Sequence, residues 1–198
     1  MKAKRLTMLI IMDGLGYPVD LKRSAVKCEN TVNLQKLSNK YPHTLLEASE
    51  LQVGLPEGQP GTSDVGHLTI GTGRVIYQPL VRINREIENG KFFENSVLID
   101  AMENAKIEDR SLHLMGIPTN GGVHGHIDHL FALLKMAKDR DVKNVYLHIF
   151  TDGRDTPPKS AHMFIKRIED EMKKLEIGEI ATVIGRLYAL DRDNNWEE

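Results

Sequence analysis

Cysteine is almost missing from this chain of 198 residues: Cys28 stands alone. No intrachain disulfide can form, and a single thiol suits a reducing compartment, so Cys28 reads as incidental and the chain as cytoplasmic. Neither sign of charge is in excess. The formal net charge is −2, which leaves no overall pull toward nucleic acid or an anionic membrane. Long apolar runs are lacking too. The run over residues 6–12 is cut by Asp13 after seven residues, far short of a membrane span. The basic residues ahead of it imitate a secretion signal, but no small-residue cleavage site follows closely. No internal repeat and no low-complexity segment is present. What remains is 40% hydrophobic and 27% charged, enough apolar material for one globular domain or two small ones.

Hydrophobic periodicity organises the chain. Residues 7–12 predict a buried central parallel strand that ends at Asp13-Gly14, and strand ends are where open α/β sheets place ligands. Residues 33–39 read as a helix carrying Leu34 and Leu37. Residues 43–48 read as a second short strand, and 64–70 as a helix. The character changes near Gln78-Pro79. Helices are then predicted over 80–88 and 95–105, joined at Asn89-Gly90. Strands over 111–116, 144–150 and 180–184 alternate with two helical stripes. One holds Ile127, Leu130, Phe131 and Leu134; the other holds Ala161, Phe164, Ile165, Ile168, Met172 and Leu175. This alternation predicts βαβ crossovers and a parallel sheet. Two units are expected, 1–77 and 78–198. No closing helix is predicted after the last strand, and the polar ending Asn194-Asn195-Trp196-Glu197-Glu198 reads as that of a fragment or of one half of a split protein.

Four segments carry chemistry. The first is Gly58-Gln59-Pro60-Gly61-Thr62-Ser63-Asp64-Val65-Gly66-His67, which puts Ser63 at a glycine-flexed turn just ahead of a helix. Backbone N–H groups there can face an anion, and the hydroxyl is a candidate nucleophile toward phosphorus. No Gly-x-Ser-x-Gly elbow is present, so metal activation is the better-matched route. Asp13 and Ser63 offer oxygen ligands for one hard divalent cation. Alternatively, Asp13 closes a turn and Ser63 caps a helix. The second segment, Asn120-Gly121-Gly122-Val123-His124-Gly125-His126-Ile127-Asp128-His129, places His124 as a donor to phosphate or carboxylate. His126 and His129 read as caps or packing residues. The third, Thr151-Asp152-Gly153-Arg154-Asp155-Thr156-Pro157-Pro158, offers Arg154 as a bidentate grip on an anion and Asp155 as an acid or base. A surface Arg154–Asp155 ion pair is the plainer alternative. The fourth places Arg186 directly after a strand and Arg192 six residues on. Three arginines and one histidine at successive strand ends suit a small molecule with more than one anionic group.

Taken together, these segments resemble the N-terminal part of the cofactor-independent (2,3-bisphosphoglycerate-independent) phosphoglycerate mutases, of the alkaline phosphatase superfamily. The resemblance rests on Met12-Asp13-Gly14, on Leu55-Pro56-Glu57-Gly58-Gln59 through Gly73-Arg74, on Gly121-Gly122-Val123-His124 through Asp128-His129, on Asp152-Gly153-Arg154-Asp155-Thr156-Pro157-Pro158, and on Gly185-Arg186 through Asp191-Arg192-Asp193-Asn194. It implies an α/β fold: part of an alkaline-phosphatase-like parallel sheet over 1–77, and part of a second α/β substrate-binding domain over 78–198. It implies interconversion of 3-phosphoglycerate and 2-phosphoglycerate in glycolysis and gluconeogenesis, with two Mn²⁺ ions per complete, monomeric enzyme. Asp13 and Ser63 match metal-binding positions, and Ser63 matches the serine that becomes phosphorylated. His124, Arg154, Asp155, Arg186 and Arg192 match substrate-binding positions, with Asp155 the proton carrier.

The sequence departs from the family pattern in places. Pro60-Gly61-Thr62-Ser63-Asp64 replaces the commoner Met-Gly-Asn-Ser-Glu, Gly125 stands where serine is usual, and Ile117-Pro118-Thr119-Asn120 is unusual before the glycine pair. Family members are more than twice as long, and the part not matched holds further metal ligands, substrate arginines and a lysine near the serine. The chain alone is therefore expected not to turn over. Two other readings are a non-catalytic phosphoglycerate-binding fragment or half of a split enzyme, and a metal-dependent phosphomonoesterase releasing phosphate to water.

Overall fold

The computed structural model describes residues 6–16, 24, 26, 30–190 and 192. Cys28 lies outside them, as do the basic residues 1–5 and the ending at 194–198. The helices are α1 (Val32–Lys40), α2 (Ser63–Thr72), α3 (Pro79–Glu88), α4 (Ser96–Ala105), α5 (Ile127–Asp139), α6 (Ala161–Leu175) and the single turn α7 (Arg186–Ala189). The strands are β1 (Leu112–Gly116), β2 (Val145–Thr151) and β3 (Glu179–Gly185).

The strands form one sheet in the order β1-β2-β3, with both pairings parallel. Leu114 faces Leu147 and Ile149 faces Val183 across it, and a register irregularity falls between Leu147 and His148. Parallel neighbours need crossovers, and α5 and α6 supply them. Along β2, Val145, Leu147 and Ile149 are buried while their neighbours are less so, which is the period-2 pattern of a sheet covered on one face. Those three side chains meet Leu134 and Met136 of α5 and Phe164 and Ile168 of α6 in the main core. Leu134 and Ile168 are wholly buried, and each contributes about 1.5–3 kcal/mol by leaving water.

Helix ends follow local chemistry. Pro79 opens α3, where its missing N–H costs nothing. Asn95 caps α4 by accepting from the N–H groups of Val97 and Leu98. His126 caps α5, accepting from the Asp128 N–H, as the sequence led us to expect.

A smaller cluster of Val53, Leu55 and Val65 lies under α2. The loop leading to α2 is tied down by Glu50, whose carboxylate accepts from the Gly58 N–H and whose own N–H donates to the Gln59 carbonyl.

Three expectations are corrected. Residues 7–12 form no strand, and Met8, Leu9 and Ile10 are at least 70% exposed. Residues 43–48 form none either. A strand exists only where a neighbour takes its N–H and C=O groups in a ladder, and neither run is in such a ladder among the described residues. The last strand is followed by a closing turn of helix, α7, which no apolar periodicity announces in so short a segment. The joint at Asn89-Gly90 also continues into a 3-10 turn, Lys91–Glu94.

Candidate active site

Two groups of polar side chains are assembled. The first forms where α2 begins. The Ser63 hydroxyl donates to Asp13 Oδ2 at 2.6 Å, across 50 residues of sequence. Ser63 is the first residue of α2, and Thr62, with extended backbone, precedes it. Four N–H groups at such an end lack helical partners and favour negative charge. The Asp64 carboxyl in that first turn is held below its ordinary range, first by the Thr62 hydroxyl and then by the Val65 N–H. His67, one turn on, brings Nδ1 to 2.8 Å from the Ser63 carbonyl oxygen and 3.2 Å from its Oγ. Asp13 itself lies in a turn, but the N-cap of α2 is Thr62, so Ser63 does not cap the helix as the alternative reading had it.

The second group gathers at the C-terminal ends of β2 and β3. The Arg186 guanidinium spans it. Nη1 donates to Asp152 Oδ1 at 2.8 Å and to Asp155 Oδ2 at 2.6 Å, and Nη2 donates to His124 Nε2 at 2.9 Å. Because that ring nitrogen accepts, neutral His124 carries its hydrogen on Nδ1. Asp155 Oδ2 lies 3.8 Å from the same His124 nitrogen. Asp155 therefore pairs with Arg186 rather than with its neighbour Arg154. Arg154 is exposed, and with Arg186 and Arg192 it lines a cleft of about 520 Å³ floored by Thr151 and Gly185. The glycine pair lies against the Asp155 loop: a Cβ on Gly121 would lie 3.1 Å from the Asp155 carbonyl oxygen, so a side chain there would press the two loops a few tenths of an ångström apart.

Two residues in these groups received no role from the sequence. Asp152 accepts from the N–H groups of Arg154 and Asp155 and from the Thr156 hydroxyl, as well as from Arg186. Burial alone would raise its pKa; those backbone donors and Arg186 outweigh it and hold the carboxyl far below the usual carboxylate range. The signal was present, since an aspartate two and three residues before free N–H groups is a turn-forming pattern. His67 is the other, and its spacing of four from Ser63 puts both on one helix face. His129 is where the sequence put it, in packing: its Nε2 meets Asn84 Oδ1 at 2.6 Å, and burial, with His126 nearby, lowers its pKa.

Asp13 and Ser63 are oxygen donors of the kind a hard divalent cation takes. Among the described residues, however, no three His, Cys, Asp or Glu side chains converge to hold a metal. The two donors fit part of a site. No hydrogen bond or ion pair joins the Ser63 group to the Arg186 group among the described residues.

The chain was compared with known proteins. Residues 83–198 match the family model described as the BPG-independent PGAM N-terminus. A 2,3-bisphosphoglycerate-independent phosphoglycerate mutase of Clostridium perfringens (strain 13 / Type A) is 54% identical over 195 residues, covering 98% of this chain and 38% of that protein. The protein of the same name from Clostridioides difficile (strain 630) is 54% identical over 194 residues, with the same coverage. Among solved structures, Leishmania mexicana phosphoglycerate mutase at low cobalt concentration superposes with a TM-score of 0.64 and 27% identity, over 80% of this chain and 30% of that one. The chain thus spans 38% of the length of the curated relatives it matches.

Proposed function

The chain belongs to the BPG-independent phosphoglycerate mutase family, and from that premise we propose that it carries the nucleophile and much of the substrate grip of an enzyme interconverting 3-phosphoglycerate and 2-phosphoglycerate. The observation that carries this reading is the Ser63–Asp13 hydrogen bond, which joins two distant segments at the head of a helix. A hydroxyl already donating to a carboxylate has a place to send its proton when it attacks.

In this reading Ser63 Oγ attacks the phosphorus of the bound substrate. The Ser63 proton passes to Asp13, the bond from phosphorus to the substrate oxygen breaks, and Asp155, entering the step protonated on Oδ1 while Oδ2 accepts from Arg186, gives that oxygen its proton. The free glycerate then reorients. Its other hydroxyl gives a proton to Asp155 and attacks phosphoserine 63, and Ser63 regains its proton. Arg154, Arg186 and Arg192 hold the carboxylate and phosphoryl charges, and His124 adds a donor from Nδ1 or orients Arg186 through Nε2. Asp13 and Ser63 would hold one Mn²⁺ of two, which supplies positive charge for the phosphoryl oxygens. The further metal ligands come, in this proposal, from the part of the relatives that the chain does not span. Two units, 1–77 and 78–198, one for the nucleophile and one for the grip, are proposed with it, and the small cluster Val53, Leu55 and Val65 beside the large core supports that division. The single cysteine supports a reducing, cytoplasmic compartment, and a role in glycolysis and gluconeogenesis is proposed from the family alone.

One observation favours a binding role for the chain taken by itself. The Arg186 group is assembled from its own residues, whereas the metal donors are not complete. The isolated chain then binds phosphoglycerate without turning it over.

The test joins this chain to the part of the Clostridium perfringens relative that it does not span, and supplies Mn²⁺ and [³²P]phosphoglycerate. Mutase product, with label trapped on Ser63 and lost in Ser63→Ala, is expected. Label on another residue, or an active Ser63→Ala, overturns the proposal. Free phosphate without mutase product points to a phosphomonoesterase instead.

A further inference from the structure

His67 lies one helical turn beyond Ser63 on the exposed face of α2. Its Nδ1 is 2.8 Å from the Ser63 carbonyl oxygen, which can only accept, so that nitrogen carries the hydrogen. The same Nδ1 is 3.2 Å from Ser63 Oγ, while Oγ sends its own hydrogen to Asp13 Oδ2 at 2.6 Å. The two neighbours of Oγ therefore have opposite roles. Asp13 accepts the hydrogen of Oγ, and His67 offers Oγ a share of its one Nδ1 hydrogen, whose nearer acceptor is the Ser63 carbonyl oxygen. His67 Nδ1 cannot act as a base toward Oγ, because it already carries hydrogen. The ring is exposed, so packing does not fix it; its bonds to Ser63 do.

We propose that His67 is a positioning residue for the Ser63 nucleophile, its Nδ1–H holding Oγ toward Asp13 and meeting the negative charge that forms there as the proton leaves. A donor set before reaction at the atom that gains charge needs no reorganisation when the charge develops. The inference rests on the reading of Ser63 as nucleophile. It does not depend on which anion binds at Arg186.

Three variants of the fused enzyme separate the donor from mere bulk. In His67→Asn the amide nitrogen occupies nearly the place of Nδ1. In His67→Gln it moves outward to the level of Nε2. His67→Phe keeps the ring and has no donor. The Asn variant is expected to keep most of kcat. The Gln and Phe variants are expected to lose roughly 10- to 100-fold in kcat with KM little changed. A Phe variant as fast as the unsubstituted enzyme overturns the proposal, and so does an Asn variant as slow as Phe. The second readout needs no turnover: ¹⁵N shifts of the imidazole in the chain itself. Hydrogen on Nδ1 with a bare Nε2 is expected, and hydrogen on Nε2 with a bare Nδ1 overturns the proposal. An unsubstituted fusion without mutase activity would sink the functional reading, while the tautomer would still decide the role of His67.

Discussion

Asp152 and Arg186 form the most enclosed ion pair among the described residues: Oδ1 and Nη1 are 2.8 Å apart, with the two side chains 2% and 15% exposed. Asp152 also ties down the turn that carries Arg154 and Asp155, through their N–H groups. One buried carboxylate thus orients the clamp and the loop opposite it. Its place beneath the cleft suits a support for substrate-facing groups.

Asp152→Asn keeps the shape and removes the charge. Phosphoglycerate affinity of the isolated chain is expected to fall about 10- to 100-fold, in line with the loss of a charged hydrogen bond. Isothermal titration of the two chains measures it, and equal affinities would show that Arg186 needs no anchor.

The same carboxylate makes stability depend on acid. Its pKa in the folded chain lies well below the unfolded value near 3.9, so its contribution is complete above about pH 4 and is lost as pH falls toward the folded value. Urea midpoints of the chain and of Asp152→Asn should converge as pH drops from 5 to 2.5. A constant difference between them would contradict the assignment.

Arg154 is free of the ion pairs that occupy Arg186 and stands exposed at the cleft, so it is the arginine best placed to meet an incoming anion. Arg154→Lys keeps the charge and loses the two-pronged geometry. In the fused enzyme kcat/KM is expected to drop at least about tenfold while the chain's melting temperature stays put. Unchanged kinetics would remove Arg154 from contact with the substrate.

His129 acts nearer neutral pH. Burial, with the neighbouring His126, depresses its pKa, and Asp128 only partly offsets them. The unfolded chain then binds this proton more readily, so stability is complete above about pH 6.5 and declines as pH falls through the folded value. His129→Gln keeps a donor for Asn84 Oδ1 and does not titrate. Its melting temperature is expected to fall less between pH 7.5 and 5.5 than that of the unsubstituted chain, as scanning calorimetry would show.

The backbone around Gly125 leaves no room for a side chain. A Cβ there would lie 2.8 Å from the Ile117 carbonyl oxygen. Gly125→Ser is therefore expected to destabilise the chain by about 1–3 kcal/mol, read from urea denaturation, because backbone must move to admit it.

Local pattern and long-range pairing were legible to different degrees. The core of α5 and α6 could be read directly, since Leu134, Phe164 and Ile168 recur at helical spacing and are buried where that spacing puts them. The parallel pairing of the strands followed from alternation with helices, whereas their order in the sheet was not read from the sequence. The run at 7–12 misled for a physical reason: its apolar residues state a wish to be buried between neighbours, but pairing is a property of two segments, and periodicity reports only one. Among candidate site residues, Ser63 and Asp13 were grouped by the sequence and meet in the structure, and Arg186 and Asp155, assigned to one site, also meet. Asp152 was overlooked because a carboxylate pinned by main-chain donors looks, in sequence, like any turn aspartate. An Arg154–Asp155 pair was only the plainer alternative, and the partner of Asp155 comes from a strand end 31 residues further on.

The uncovered apolar stretch over 6–12 has a practical consequence. Leu6, Met8, Leu9, Ile10, Ile11 and Met12 all face water, with no proline or charge among them to interrupt stacking. Such a window is a template for cross-β association between copies. Purification of the bare chain will therefore favour inclusion bodies and clouded solutions. A lysine placed at Ile10 acts as a gatekeeper there and should keep preparations clear.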